Sequence, residues 1–446
     1  MEVDVVATEE LGDRSYVVHD GRYALVIDPQ RDIDRLEAVL ARRGVRCAAV
    51  AETHVHNDYV SGGLELSRRF GAPYLVAASE DVAFDRTEIT DGDTFGVGRL
   101  NVSVVATPGH TDGHVAYVVR DGTGTSAVFT GGSLLYGSVG RTDLVDPART
   151  EELTRAQYRS ARLIARTLDD ETAIYPTHGF GSFCSSGSSA TDDRSTIGVE
   201  RRRNDALVID NEETFVSKLL TGLTAYPSYY AFMGTKNRNG AGPIDLSLPN
   251  LVDPSALACR IRNGEWVIDL RSASAFASAH VRGSVGFGLG PLFATYMGWV
   301  IPWGSPLTLI GEHPAQITEA QRQLVRIGID RPSAAAVGST RELSVETGVG
   351  SYKTATFSEM ANADGIVILD VRRTDERAMG HILGSLHIPL HRLPDRLGEL
   401  PDEPIWVHCA SGYRAGIAAS LLDRAGLEVV LVDDDIGHAG VLCAGS

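Results

Sequence analysis

Two imidazoles and a carboxylate crowd one short stretch, Thr53-His54-Val55-His56-Asn57-Asp58. Histidines at i and i+2 on a strand-ending loop can point to one side, and an aspartate two residues on can reach the same place. Such crowding gains little unless a cation holds the groups, so the stretch reads as part of a metal site. The stretch Thr107-Pro108-Gly109-His110-Thr111-Asp112-Gly113-His114 and the stretch Tyr175-Pro176-Thr177-His178-Gly179 add more of the same chemistry. Each of the three follows an apolar, strand-like run, at 48–51, 102–106 and 173–175. Three strand ends therefore each deliver at least one histidine.

A second kind of chemistry lies near the other end of the chain, in Val407-His408-Cys409-Ala410-Ser411-Gly412-Tyr413-Arg414. An apolar strand runs into C-x-x-G-x-R, and a helix-like run follows at 415–422. Successive backbone N–H groups in such a loop form an anion-binding nest around a sulfur atom. The following helix N-terminus and Arg414 place positive potential there and favour a thiolate. A single cysteine after a strand is more often an apolar packing residue. The spacing of Gly412 and Arg414 favours a reactive thiol instead.

These groups need scaffolds, and the pattern between them is α/β. A strand at 23–27 ends in Asp28-Pro29, a helix at 33–43 shows apolar spacing at Ile33, Leu36, Val39 and Leu40, and Gly44 stops it. Such alternation suits sheets covered by helices. The stretch 181–195 is rich in Ser and Gly and reads as a loop near His178. The stretch 237–254 is rich in Gly, Asn and Pro and reads as a linker. Beyond it the chain repeats itself. Asp269-Leu270-Arg271 recurs as Asp370-Val371-Arg372, and His280 with Gly283-Ser284 recurs as His381 with Gly384-Ser385 at the same offsets. Residues 306–328 match 404–426 with a slightly different shift. In the first copy Gly311 stands where the second has Cys409, and Gln316 where it has Arg414, so the first copy cannot carry sulfur on a thiol.

The histidine set resembles the metallo-β-lactamase superfamily, and Val139-Gly140-Arg141-Thr142-Asp143-Leu144 narrows the likeness to its persulfide dioxygenase branch, which is also similar to glyoxalase II. The Cys409 loop resembles the active-site loop of a rhodanese, a sulfurtransferase. The resemblance implies an αββα metallo-β-lactamase fold at 1–245, a degenerate rhodanese-like α/β domain at 255–345 and a rhodanese domain at 352–446. It implies metal ligation by His54, His56 and His110, with Asp58 and His178 in the second position and His178 hydrogen-bonding near the metal. It places Arg141 against the carboxylate of a glutathione-like carrier, the structural alternative being a salt bridge to Asp143. Cys184 either touches the substrate sulfur or simply packs, and His114 reads as structural. In the rhodanese, Cys409 and Arg414 are catalytic and Gly412 belongs to the substrate-binding loop.

Two departures bear on the metal. Where the pattern often has a second histidine after Asp58, this chain has Tyr59, whose phenol titrates near about 10 and is a poor ligand for a second ion. A single ion is therefore expected: ferrous iron as in the persulfide dioxygenase branch, or zinc, which three imidazoles also accept. The family's Thr-Gly-Asp motif reads Thr130-Gly131-Gly132-Ser133 here, so the carboxylate of a 2-His-1-carboxylate set is absent. The site is then all-histidine, or Asp58 supplies the carboxylate, or the metal is lost.

The expected function is a fused sulfur-handling enzyme. Its first domain oxidises low-molecular-weight persulfides to sulfite, and its last moves sulfane sulfur through a Cys409 persulfide, with a persulfide or thiosulfate and a thiol carrier as partners. A zinc thioester hydrolase with an accessory rhodanese, and a rhodanese on a non-catalytic scaffold, are the alternatives. The length of 446 residues allows about three domains. A net charge of −17 argues against a nucleic-acid partner. No apolar run approaches the ~18 residues of a membrane span, and the first residues lack a signal-peptide pattern. Five scattered cysteines, Cys47, Cys184, Cys259, Cys409 and Cys443, suit reduced thiols in a cytoplasm, and Cys259, ahead of the first strand of its copy, reads as a structural, packed residue. A homo-oligomer is expected.

Overall fold

The computed structural model describes residues 1–187 and 193–440. They form two compact units, one built on Met1–Ile244 and the other beginning at Asp245. Cys443 and residues 188–192 of the Ser/Gly-rich stretch lie outside the described residues.

The first unit is a sandwich of two six-stranded sheets. One sheet runs in the order Glu2–Thr8, Asp13–His19, Tyr23–Ile27, Arg46–Ala51, Tyr74–Ala77, Thr87–Ile89. Its first three strands are antiparallel and the rest pair parallel. The other runs Ser195–Thr196, Ala173–Pro176, Ser126–Gly131, Val115–Arg120, Leu100–Ala106, Thr94–Val97.

Strand alternation explains why the sequence reads as nearly continuous apolar runs. Tyr16, Val18, Leu25 and Ile27 fill the core between the sheets with Val102, Val104, Tyr117 and Phe129. Val17, Val26 and Val50 point to the opposite face, where Leu36, Val39 and Leu40 of the helix Asp34–Arg43 cover them. Both faces of the sheet are buried, so neither parity can be polar. Gly44 ends that helix at φ 65, a left-handed cap that frees it to turn into the next strand. On the outer face of the second sheet, the helices Thr150–Thr167 and Glu212–Gly222 pack Tyr158, Ala161, Phe215 and Leu219 against Val118 and Val128. The layers are therefore helix, sheet, sheet, helix.

The second unit holds two α/β layers. A four-stranded parallel sheet has the order Val285–Gly286, Trp266–Asp269, Leu307–Gly311, Ala334–Val337. A five-stranded parallel sheet has the order Lys353–Ala355, Val429–Val432, Ile405–His408, Val367–Asp370, Leu386–His387. The sequence repeat has a physical content. Arg271 grips Asp269 at 2.6 Å and the Ala279 carbonyl at 2.9 Å, while Arg372 grips Asp370 at 2.7 Å and the Gly380 carbonyl at 2.8 Å. Ser284 and Ser385 each donate to the carbonyl three residues back, at 2.7 Å. Each copy thus clamps the end of its Asp-bearing strand, Trp266–Asp269 or Val367–Asp370, to the end of the following helix in the same way.

Two readings of the sequence need correcting. Asn237 does not start a linker: it lies on the helix Tyr230–Asn239 and is buried, because its side chain is held inside the first unit. Cys259 is not packed: it is exposed on the helix Pro254–Arg262, whose buried residues are Leu257 and Ala258. Among the described residues, no helix is long and apolar enough to cross a membrane.

Candidate functional site

The groups singled out in the first unit gather at one end of the sandwich, where strands of both sheets finish. Asp28 follows Tyr23–Ile27, His54 follows Arg46–Ala51, His110 follows Leu100–Ala106, and His178 follows Ala173–Pro176. His54, His56, His110 and His178 are all buried. The ligand atoms of His54, His56 and His178 lie within 4.8 Å of one another, as do those of His110, His178 and Cys184, and those of Asp13, Asp58 and His178.

The neighbours of each ring decide which nitrogen faces the others. Thr53 Oγ1 donates its one hydrogen to Asp28 at 2.7 Å, so toward His54 Nδ1, 2.9 Å away, it can only accept. His54 Nδ1 therefore carries the hydrogen, and its Nε2 keeps a lone pair. His110 Nδ1 donates to the Arg141 carbonyl at 2.7 Å, which leaves Nε2 buried without a partner among the described residues. His56 directs Nε2 at Glu52 (3.1 Å) and Asp28 (3.3 Å), which leaves Nδ1 buried without a partner among the described residues. His178 directs Nδ1 at Asp13 (2.9 Å) and Asp58 (3.0 Å), and its Nε2 lies 3.3 Å from His54 Nε2. Four imidazoles thus have one nitrogen fixed by the protein and the other turned inward, the arrangement by which proteins orient metal-binding histidines. Two donor sets that share His178 result, His54 with His56 and His110 with Cys184, and either fits a transition-metal ion, because His56 Nδ1 and His110 Nε2 are buried with no other partner among the described residues.

The electrostatics favour a cation. Burial holds His54 well below its ordinary value, and burial with the His178 charge pushes His110 down to about 3, so both are neutral ligands in waiting. Burial opposes the charge on His56 too, but Asp28 and Glu52 carry it up to about 9. Against the same opposition, Asp58 and Asp13 carry His178 up to about 10. A metal ion must displace protons from these two rings, so its binding is tied to proton release. Burial also opposes ionisation of Asp58, yet His178 holds its carboxyl well below the usual range, while burial and Asp58 push Asp13 up to about 7. One oxygen of Asp58, Oδ1, is buried without a partner among the described residues. Burial, then Asp58 and Asp13, push the Cys184 thiol well up, so it stays protonated.

The structure brings His54, His56, His110, His178, Asp58 and Cys184 into one cluster and gives His178 a more central place than a hydrogen bond at the margin. For Arg141 the structure shows the salt bridge to Asp143 that was the alternative to a substrate contact. The residue is 2 % exposed, doubly bonded to Asp143 at 2.6 and 2.8 Å, bonded to the Phe183 and Thr224 carbonyls, and covered by the Tyr226 ring. Its guanidinium holds the loops at 143, 183 and 224 together. His114 is structural, with Nδ1 against Thr107 Oγ1 at 2.8 Å and Nε2 accepting from the Gly132 amide at 2.9 Å. Tyr59 stacks on His56 and donates to the Asp28 carbonyl at 3.3 Å, so it offers nothing to a second ion.

Sequence reasoning missed the supports. Asp28 accepts from the Thr53 amide, Thr53 Oγ1 and Thr177 Oγ1, and sits at φ 50, a left-handed conformation that aspartate tolerates better than most residues. Glu52 receives the Tyr74 and Ser61 hydroxyls. Asn237 donates to the His56 and Tyr59 carbonyls, both at 2.8 Å, and accepts from the Ser61 amide at 2.9 Å. The legible signal was that Asp28 and Glu52 directly follow buried strands, at the end where the histidines lie. Nothing in the sequence pointed from Asn237 to a loop almost two hundred residues earlier.

In the second unit, Cys409 follows Ile405–His408 and precedes the helix Tyr413–Arg424, buried at the turn. Gly412 adopts φ 88, and a Cβ there would run into the Asp433 carboxylate, so only glycine fits this loop. Arg414 has a carboxylate partner that the sequence did not announce. Both its terminal nitrogens bond Glu376, at 2.5 and 2.7 Å, so much of its charge is balanced before it acts on sulfur. In the first copy the corresponding cradle is filled from within. Gln316 Oε1 accepts from the Glu312 amide at 2.7 Å and the His313 amide at 3.4 Å, where an anionic sulfur would otherwise sit.

Comparison with known proteins agrees with this arrangement. Residues 11–178 match the model of the metallo-beta-lactamase superfamily, and residues 353–436 match that of the rhodanese-like domain. The mitochondrial persulfide dioxygenase of Homo sapiens is 32% identical over 213 residues, 47% of this chain and 75% of that protein. A hydroxyacylglutathione hydrolase of Brucella anthropi is 36% identical over 169 residues, 37% of this chain and 60% of that protein. The crystal structure of a metallo-beta-lactamase from Staphylococcus aureus superposes with a TM-score of 0.69 at 25% identity, covering 76% of this chain and 99% of its own. This chain belongs to the metallo-beta-lactamase superfamily, in the family that includes the persulfide dioxygenases, and joins that domain to a C-terminal rhodanese-like domain.

Proposed function

We propose that the chain oxidises the terminal sulfur of a low-molecular-weight persulfide in its first unit and moves sulfane sulfur through Cys409 in its second. The observation that carries the reading is the convergence of four oriented imidazoles in a buried pocket with a protonated thiol, Cys184, on a chain that also holds a Cys409 loop. The first reaction is R–S–SH + O2 + H2O → R–SH + H2SO3. His54, His56, His110 and His178 would hold the ion, and Asp58 lies within reach. Ferrous iron in that place would supply the electrons and open positions that dioxygen chemistry needs. The chain itself orients the ring nitrogens through Thr53, Glu52, Asp13 and the Arg141 carbonyl, and buries all four rings. Asp13 and Asp58, on either side of His178 Nδ1, provide a place to keep a proton beside the reacting sulfur.

In the second unit, Cys409 attacks the outer sulfur of a donor such as thiosulfate, sulfite leaves with the electron pair, and a Cys409 persulfide remains. The nest amides and Gly412 accommodate the added sulfur. Tethering the two activities raises the effective concentration of a shared persulfide at the next site.

Metal content of freshly purified protein, with oxygen uptake and sulfite release on glutathione persulfide, tests the first half. Iron near one per chain and uptake abolished in His54→Ala are expected, and uptake equal to that of the variant would overturn it. Cys409→Ser should abolish sulfur transfer from thiosulfate to cyanide. A zinc thioester hydrolase is the second reading, favoured by the likeness to hydroxyacylglutathione hydrolase. Zinc near one per chain with cleavage of an acylglutathione would establish it.

A further inference from the structure

A cavity of about 560 Å³ lies inside the second unit, bounded by both copies of the repeat. Its walls include Ser411 and Tyr413, so it shares two residues with the loop that carries Cys409. This size is that of a small-molecule site. Opposite the loop, the cavity is bounded by the first copy, along the extended segment 285–290.

That segment is built to receive a chain. It continues the edge strand of its sheet, and its sequence alternates, Val285-Gly286-Phe287-Gly288-Leu289-Gly290. Val285 and Phe287 are fully buried, while Gly286, Gly288 and Gly290 line the cavity without side chains. The Phe287 and Leu289 amides donate to the Asp269 and Leu270 carbonyls, both at 2.9 Å. The Gly288 and Gly290 amides have no partner among the described residues. The Gly288 carbonyl accepts from the Tyr413 hydroxyl at 2.9 Å, so the amides are what this edge offers, and such backbone donors recognise the carbonyls of an extended amide-bearing chain. The charge of the lining is equally specific. Among the described residues lining the cavity there is no lysine, arginine or histidine, and Asp433 is its one carboxylate. Arg414, the nearest cation of the loop, is bound to Glu376. A carboxylate on the ligand would meet Asp433 with nothing to balance it.

We propose that this cavity binds the carrier part of the thiol that accepts sulfur from Cys409, and that this carrier is an uncharged, amide-bearing aliphatic chain. The inference rests on sulfur transfer through Cys409. The acceptor thiolate attacks the outer sulfur of Cys409–S–SH, a new S–S bond forms on the acceptor as R–S–SH, the enzyme's S–S bond breaks, and the electron pair returns to Cys409 as its thiolate. The degenerate copy, unable to carry sulfur itself, thus supplies specificity for its neighbour.

The test uses the full chain with thiosulfate as donor and three acceptors: cyanide, N-acetylcysteamine and N-acetylcysteine. The last two share an amide and a thiol and differ by one carboxylate. Wild type should prefer N-acetylcysteamine in kcat/KM by about tenfold, and Asp433→Asn should narrow that preference to about twofold. A Cβ at Gly288 would stand 3.3 Å from the Arg271 carbonyl and 3.8 Å from the Tyr413 ring, so Gly288→Val fills the space. It should raise KM for N-acetylcysteamine about tenfold more than KM for cyanide. Gly290→Leu, where a Cβ meets nothing within 4 Å, serves as the second variant and should act in the same direction. Equal effects on both acceptors in the two variants, or a wild-type preference for N-acetylcysteine, would overturn the proposal. Persistent cyanide activity in Cys409→Ser would instead remove sulfur transfer through Cys409 and leave the cavity without this role.

Discussion

His110 occupies the space that a side chain at Gly132 would need: a Cβ built on Gly132 stands 2.3 Å from His110 Cδ2. The ring cannot easily leave. A Cβ at Gly140 would stand 2.7 Å from its Nδ1, and that nitrogen is bonded to the Arg141 carbonyl. The missing carboxylate is therefore a feature of a repacked site, and restoring it should not restore a ligand. Gly132→Asp is expected to destabilise the first unit by about 1–3 kcal/mol through overpacking and to lower metal content. Thermal unfolding and metal analysis of the purified variant check this; a folded variant with more bound metal would show that His110 has another seat.

Thr53 sets the tautomer of His54 through a hydrogen bond that only it can accept. Thr53→Val keeps the shape and removes that acceptor, so metal affinity should drop about 10–100-fold. Thr53→Ser should retain affinity. Competition with a chromophoric chelator measures both, and equal affinities for Val and Ser would assign the orientation of His54 to something else.

Asn237 closes the loop of His56 with three hydrogen bonds to backbone groups. Removing them leaves buried carbonyls and an amide unsatisfied. Asn237→Ala should cost about 3 kcal/mol of stability, read from denaturant midpoints, and should release metal more readily. A loss within the range of an ordinary surface change would mean that water replaces the side chain.

His391 stacks on Trp299 with ring centroids 4.8 Å apart. Burial first, then Arg392 and Arg373, push it down to about 4. Between its ordinary value of about 6.5 and that value, the unfolded chain holds a proton that the folded chain does not. Stability should therefore decline as pH falls through this window. His391→Phe preserves the stack and removes the titration, so its stability should fall less steeply from pH 6.5 to 4 than that of wild type, as followed by tryptophan fluorescence in denaturant. Parallel curves would place the acid sensitivity elsewhere.

Much of the molecule was legible before folding. The buried strands were readable as apolar runs, because a sheet covered on both faces has no polar parity to hide them. His54, His56, His110 and His178 were readable because each ends such a strand. The Cys409 loop was readable because a tight turn around sulfur demands glycine at Gly412, and the repeat because Asp269–Arg271 and Asp370–Arg372 are local pairs two residues apart. Local geometry writes itself into spacing.

Only the tertiary structure decided what each group is free to do. Arg141 and Arg414 have the residue type that binds anions, yet Asp143 and Glu376 meet them first. Asn237 looked like linker and proved to be a clamp. Asp28 and Glu52 looked like strand ends and proved to orient His56 and, through Thr53, His54. The reason is common to all of them: hydrogen bonds and ion pairs are satisfied by whatever the fold brings near. Residue type states what a side chain can offer, and the packing of distant segments determines which partner takes it.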